Sequence, residues 1–363
     1  MRTFFVLPIL LLAAAPAFAE DPLSVLAASR TGRIEVFDAA TLEPLGAIGV
    51  NQPLESVTPS PDGRRLYIAQ AEQGTTGSCC GLYSLDLETL RMCLLTTPAL
   101  FGAPSPDGRF LFTQGKQGVD VFNPTTLSRR TMKAAGQYNL QPSPDGRWVF
   151  GITNSPKLSS LDVFDMEVYA MVRRLPIPGG PVTGAWAGDR FYMFSYGADG
   201  AGRGSLWSVK PENTPLPPPT TVELPDLHGA CHEPVLLMLA GAPDRLYLAE
   251  ASGFKVDRHT ACPDAARDGV YVIQPSTGRV SHIAPSVRVN RMVVSPDGRD
   301  LYVIHSAGPS PLSSPGLLRI DARTGRTETI ARLESGDWNL ALAHIPRAFI
   351  SRGNVHAALS CSR

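Results

Sequence analysis

One five-residue segment, Ser-Pro-Asp-Gly-Arg, occurs four times in the chain, beginning at Ser60, Ser105, Ser143 and Ser295. Shortened copies stand at Ala187-Gly188-Asp189-Arg190 and Ala242-Pro243-Asp244-Arg245. The residue types suit a tight turn. Ser fits the first position, Pro fixes φ at the second, Asp takes the third, and Gly accepts a positive φ at the fourth. The residues after each turn are rich in β-branched and aromatic types: Leu66-Tyr67-Ile68, Phe110-Leu111-Phe112, Trp148-Val149-Phe150, Phe191-Tyr192-Met193, Leu246-Tyr247-Leu248 and Leu301-Tyr302-Val303. Such runs read as strands. A turn feeding a strand six times over forces a repetitive β architecture.

A second landmark recurs out of phase with the first. An alternating strand such as Ile34-Glu35-Val36-Phe37 ends in a polar turn residue at Asp38, and counterparts end at Asp86, Asn123, Asp165, Lys210, Gln274 and Asp321. Seven landmarks imply seven units of about four short strands each. A period of ~40–50 residues with four strands per unit marks a β-propeller. No 3.6-residue periodicity accompanies the repeat, which excludes a helical solenoid. Seven regular units are also too many for a β-sandwich. The expected fold is all-β: a seven-bladed β-propeller of four-stranded antiparallel blades, closed by both termini. Val25 to Ala28 reads as the second strand of blade one and Ile34 to Phe37 as its third. Its first strand then comes from the C-terminus, around Asn339 to Ala343, and Ala348-Phe349-Ile350-Ser351 reads as one strand more than the ring needs.

Charge and composition narrow the function classes. Thirty-three basic residues balance 33 acidic ones, so binding to nucleic acid by bulk electrostatics is excluded. The hydrophobic fraction of 43% is that of a globular chain, not a disordered one. At the N-terminus, Met1-Arg2 precedes an apolar run from Phe4 to Ala15 and the small-residue sequence Ala17-Phe18-Ala19. This has the form of a secretory signal peptide spanning 1–19, leaving a single propeller domain over 20–363 and no integral membrane segment after cleavage. The expected location is periplasmic or secreted. In that setting the six cysteines (Cys79, Cys80, Cys93, Cys231, Cys262 and Cys361) read as disulfide-forming, with 15 possible connectivities.

The Ser-Pro-Asp-Gly-Arg-x-Leu-Tyr-Val hairpin, with a strand ending in Asp-x-x-Thr after it, resembles the YVTN-type, WD40-like propellers. That superfamily includes the heavy (β) chains of bacterial quinoprotein amine dehydrogenases. A local likeness to those chains lies in the long insertion containing Arg258-His259, then Val270-Tyr271-Val272-Ile273 and Thr277-Gly278. The resemblance implies the fold; the same repeat serves lactonases, haem enzymes and binding scaffolds alike.

With strands labelled A to D outward from the channel, most long connections fall between B and C. They are Ala71 to Gly81, Asn154 to Ser159, Gly197 to Gly204, Ala251 to Gly269 and Ser306 to Gly316. All lie on one face, where a rigid scaffold usually carries function. The Pro-rich stretch Pro211 to Pro219 is the exception and reads as an extended loop on the opposite face or a partner-binding polyproline segment. Counting seven residues back from each turn Asp, and taking the position one further in as well, gives the candidate channel mouth. Its polar and aromatic members are Glu55, Tyr138, Asn139, Asn290 and Arg291, with Trp338 on the closing strand. They bind a small polar ligand or simply hydrate the channel.

His228-Gly229-Ala230-Cys231 and His259-Thr260-Ala261-Cys262 repeat an H-x-x-C pattern on that face. Three readings remain open for it: a Cys231–Cys262 disulfide clamping the insertion, a Zn²⁺ site of His228, Cys231, His259 and Cys262 with His232 and Glu233 nearby, or neither. Cys79-Cys80 either closes on itself or pairs one member with Cys93 or Cys361. No C-x-x-C-H, G-x-S-x-G, H-E-x-x-H or P-loop sequence occurs, and the sequence calls for no cofactor. The expected function is therefore a non-catalytic exported propeller binding a partner protein or small ligand on its loop-rich face. One specific form is a scaffold subunit of an amine-dehydrogenase-like quinoprotein. The alternative is a periplasmic enzyme, a lactonase-like hydrolase or an oxidoreductase, acting at the channel mouth through Glu55, Arg291 or the blade-six histidines.

Overall fold

The computed structural model describes residues 23–50, 53–70, 81–97, 99, 101–136, 138–153, 159–177, 182–196, 203–211, 217–223, 237–250, 269–306, 315–334, 338–346 and 354–359. These form seven antiparallel blades and no helix. Blade one begins with β1 (Leu23–Ser29), β2 (Arg33–Asp38) and β3 (Pro44–Gly49). Blade two is β4 (Leu54–Pro59), β5 (Arg65–Gln70), β6 (Gly81–Asp86) and β7 (Arg91–Thr96). Blade three is β8 (Ala103–Pro104), β9 (Leu111–Gly115), β10 (Gly118–Phe122) and β11 (Arg129–Lys133). Blade four is β12 (Asn139–Pro142), β13 (Trp148–Thr153), β14 (Ser159–Asp165) and β15 (Ala170–Ile177). Blade five is β16 (Val182–Ala187), β17 (Arg190–Tyr196), β18 (Arg203–Val209) and β19 (Thr220–Glu223). Blade six is β20 (Leu237–Ala242), β21 (Arg245–Glu250), β22 (Val270–Gln274) and β23 (Arg279–Ile283). Blade seven is β24 (Val289–Val294), β25 (Asp300–Ser306), β26 (Pro315–Asp321) and β27 (Thr327–Arg332).

The repeated pentapeptide builds the A–B turns as its chemistry requires. In blade two the amide of Gly63 donates to the Ser60 carbonyl, and the Ser60 hydroxyl donates to Asp62 Oδ1 at 2.6 Å. Ser60 Oγ then accepts the Arg65 amide, and Asp62 Oδ1 accepts the Arg64 amide. The same network recurs at Ser105, Ser143 and Ser295. Gly63, Gly108, Gly146 and Gly298 take φ of 66° to 70°, where a Cβ is strained. The C–D turns are also side-chain-capped. Asp38 Oδ1 accepts the amides of Ala40 and Thr41, and Asp86, Asn123 and Asp321 cap their own turns likewise.

Ring closure uses both ends of the chain. β28 (Trp338–His344) pairs antiparallel with β1 from Leu23↔His344 to Ser29↔Trp338, and it supplies the inner strand of blade one. Its end packs against blade two so tightly that a Cβ on Gly63 would overlap the His344 carbonyl. Neighbouring blades are sealed by apolar side chains, such as Phe150 on blade four against Phe191 on blade five with ring centroids 4.9 Å apart. Buried tyrosines add bonds between blades. Tyr247 of blade six donates to the Gly298 carbonyl of blade seven, and Tyr302 of blade seven donates to Ala39 of blade one, each at 2.8 Å.

Two further strands come after the closing one. β29 (Asn354–His356) runs parallel to β3 on the outside of blade one, and β30 (Ala358–Leu359) runs parallel to β7 on the outside of blade two. Between them, Ala357 donates to the Gly49 carbonyl and Ala358 to the Leu90 carbonyl. The tail is thus a belt along two adjacent outer edges. Val355 and Ala357 join the apolar cluster between blades one and two. The extra strand read at Ala348 to Ser351 lies outside the described residues.

Tyr302→Phe is expected to lower the unfolding free energy by about 1–2 kcal/mol, because the buried Ala39 carbonyl across the closure loses its donor. Urea unfolding with an unchanged denaturant slope is the check; an unaltered midpoint refutes the latch.

Candidate functional site

The inner strands β4, β8, β12, β16, β20, β24 and β28 surround the axis, with β28 between β24 and β4. Two of these strands carry β-bulges, and both flank β28. In β4 the register passes from Leu54↔Gln70 to Ser56↔Ala69, leaving Glu55 as the extra residue. In β24 it passes from Val289↔His305 to Arg291↔Ile304, leaving Asn290 as the extra residue. A bulge takes its residue out of the ladder and re-aims it. The freed backbone carbonyls are each claimed by a side chain. Asn339 Nδ2 of β28 donates to the Glu55 carbonyl at 2.7 Å, and an Arg291 guanidinium nitrogen donates to the Asn290 carbonyl at 2.8 Å.

Arg30 completes this quarter of the mouth. It stands in the short β1–β2 turn, which is the B–C connection of blade one, and its carbonyl accepts the Leu54 amide. Its guanidinium meets Glu55 Oε1 at 2.7 Å. Arg288 stands just before β24 and Arg291 within it. Sequence reasoning passed over Arg30. The available signal was its place at the B–C position of blade one.

The other candidates do not join this group. Trp338 is buried against Val25, Tyr302 and Leu333, and its indole donates to the Glu334 carbonyl at 2.9 Å. Asn139 is exposed on blade four and accepts a bond from Gln141. Tyr138 is buried, packed edge-on against Phe164, with its hydroxyl donating to Asp162 Oδ2 at 2.7 Å. Asp162 is wholly buried and held by two guanidinium bonds from Arg174, at 2.8 and 2.6 Å. The same guanidinium reaches the Ala135 carbonyl, tying blade four to the end of blade three. Burial first, and then the bond to Asp162, pushes the Tyr138 hydroxyl up to about 12.

His228, Cys231, His259, Cys262, Cys79, Cys80, Cys361 and most of each of the five long B–C connections lie outside the described residues. Cys93 is disulfide-bonded, and no group of three or more metal-ligating side chains occurs among the described residues.

No family model matches the chain, and no curated protein matches it. Solved structures do match, at low identity. The periplasmic gluconolactonase PpgL of Pseudomonas aeruginosa is 15% identical with a TM-score of 0.58, the match covering 89% of this chain and 99% of that one. A putative 6-phosphogluconolactonase from Bacteroides uniformis is 17% identical with a TM-score of 0.57, over 89% and 100%. Dihydro-heme d1 dehydrogenase NirN is 16% identical with a TM-score of 0.55, over 91% and 77%. At such identities the likeness establishes the propeller fold alone.

Two measurements check the buried network. Arg174→Met removes two bonds from a fully buried carboxylate and is expected to cost about 2 kcal/mol, a figure reduced because the arginine is half exposed. Alkaline titration gives the second. Tyr138 and Tyr302, both raised to about 12, favour the folded state while neutral. Their contribution is complete below about pH 10, the unfolded value, and is lost as pH rises toward 12. Tyr138→Phe should flatten that decline.

Proposed function

We propose that the chain is an exported propeller that binds a small polar ligand, or a polar segment of a partner protein, at the axial mouth between blades seven, one and two. The observation that carries this reading is the pair of bulges flanking β28, which take Glu55 and Asn290 out of their ladders on inner strands. The remaining described inner-strand pairings keep their register. Export rests on the N-terminal Met1-Arg2, the apolar run to Ala15 and Ala17-Phe18-Ala19. In this reading the protein is periplasmic or secreted. A scaffold subunit of an amine-dehydrogenase-like quinoprotein is its most specific form.

Arg30, Arg288 and Arg291 against Glu55 favour an anionic ligand over a neutral one. Glu55 competes with such a ligand for the Arg30 guanidinium, so the two substitutions act in opposite directions. Arg30→Gln is expected to weaken gluconate or citrate binding several-fold, and Glu55→Gln to strengthen it by a similar factor, roughly the worth of one partly exposed ion pair. Neutral glucose responds to neither. Calorimetric titration and ligand-induced thermal shifts measure this, and equal effects on charged and neutral ligands refute the mouth assignment.

A second reading, a lactonase-like hydrolase, is supported by Glu55 itself, a carboxylate beside a guanidinium on a bulged inner strand. It requires Glu55 to act as general base on a lactone-attacking water. Hydrolysis of glucono-1,5-lactone above the buffer rate, abolished in Glu55→Gln, would favour this reading over simple binding.

A further inference from the structure

The belt shows how extended chain docks on the outer wall of this propeller. β29 pairs with Ala47, Ile48 and Gly49 at the end of β3, and β30 pairs with Arg91 and Met92 at the start of β7. The amides of Ala357 and Ala358 bond the Gly49 and Leu90 carbonyls at the crossing. One short extended segment therefore serves two neighbouring outer strands.

The next two outer strands, β11 and β15, repeat that geometry. Lys133 faces Gly118, the first residue of β10, as Gly49 faces Arg33, the first residue of β2. Beside them, Met132 is wholly buried, as Ile48 is in blade one. Before β15, Tyr169 takes the positive φ that Leu90 takes before β7. Both strands end their sheets, with no strand beyond them among the described residues. β11 pairs with β10 without a bulge and contains no proline, so it lacks two of the devices that blunt an edge.

The side chains set this stretch apart. β11 carries Arg129, Arg130 and Lys133, β15 carries Arg173 and Arg174, and neither strand has an acidic residue. Arg174 is committed to Asp162, and Arg129 stands 3.8 Å from Asp120. Arg130 and Lys133 are exposed, with the Arg130 guanidinium 4.7 Å from the Tyr169 ring centre. Across the other open outer strands, β19, β23 and β27, Glu223 and Glu328 balance Arg279 and Arg332. The exposed large hydrophobic side chains among the described residues also lie here: Leu94 on β7, Leu127 before β11, Val168 before β15 and Val172 within it.

We propose that β11 and the start of β15 bind an acidic, extended segment of a partner protein as a second belt. The segment adds a strand to β11, crosses at Lys133 and Tyr169, and continues along Ala170 and Met171. Backbone hydrogen bonds form the ladder, carboxylates meet Arg130 and Lys133, and alternate apolar side chains cover Leu127 and Val172. The same basic edge repels a second β11, so two copies of this chain do not pair through it.

A fluorescein-labelled decapeptide of alternating Glu and Val is the probe, read by anisotropy with the intact protein. Saturable binding that weakens with added salt is expected. Arg130→Glu with Lys133→Glu should weaken it about tenfold, since two exposed attractions become repulsions. Arg130→Gln with Lys133→Gln, which only removes the charges, should produce a smaller fall in the same direction. Arg332→Glu on the open edge strand β27 should leave the affinity unchanged. Methylating the amide nitrogens of every Glu, or of every Val, blocks one edge of the peptide strand without altering its charge. One of these two peptides should lose binding and the other keep it. Loss or retention alike in both, equal binding of polyglutamate of the same charge, or no saturable binding of the parent peptide overturns the proposal. So does a dimer in light scattering that the double charge reversal dissociates, because a second copy then occupies the strand.

Discussion

A propeller is a sheet stack that bends until its last blade meets its first, and everything here depends on that meeting. β28 and β1 come from opposite ends of the described chain and pair over seven positions, from Leu23↔His344 to Ser29↔Trp338. Without that ladder, blade one lacks its inner strand and exposes an unpaired edge next to the channel. The closure is reinforced by contacts of different kinds. Tyr302 bonds blade seven to blade one, the His344 carbonyl fits against Gly63 of blade two, and the belt covers β3 and β7. Alanines and a glycine at the seam allow close approach, while Val355 and Ala357 of the belt extend its apolar cluster.

The same seam shapes the candidate site. The two inner-strand bulges occur on the blades that flank β28, and the side chains that satisfy their carbonyls come from β28 itself and from β24. A buried carbonyl that loses its ladder partner needs another donor. Asn339 and Arg291 meet that need, and Arg30 then holds the Glu55 carboxylate. Arg291 accordingly has a structural duty besides any contact with ligand. The blade-four network of Asp162, Arg174 and Tyr138 performs a different task, joining blades three and four through a buried carboxylate, a buried tyrosine and a half-exposed arginine.

Much of the architecture was legible because its signals are local. Every bond of the Ser-Pro-Asp-Gly-Arg turn closes within six residues, so the pentapeptide carries its own geometry wherever it occurs. The site was only partly legible. Counting back from the turn treats all blades as equivalent and assigns Glu55, Tyr138 and Asn290 to one ring. Glu55 and Asn290 are bulge residues, whereas β12 keeps its register and Tyr138, just before it, is buried. One inserted residue changes the side on which a neighbour emerges, and nothing in a single sequence marks the insertion. The Asp162 pair left a fainter trace, a charge inside the apolar run from Leu161 to Phe164.

The sequence by itself determined the number of blades, the turn chemistry and the source of the closing strand, since these depend on repeated local patterns and on strand count. Tertiary structure decided which polar residues face one another. The Arg30–Glu55 pair, the Asn339 bond to the Glu55 carbonyl and the Tyr302 bond to Ala39 join residues 25, 284 and 263 positions apart. Such pairings depend on blade-to-blade packing and on registers that bulges shift, and both are properties of the closed ring. The belt belongs to the same class: its two short strands acquire their meaning only from the outer edges of β3 and β7 that they meet.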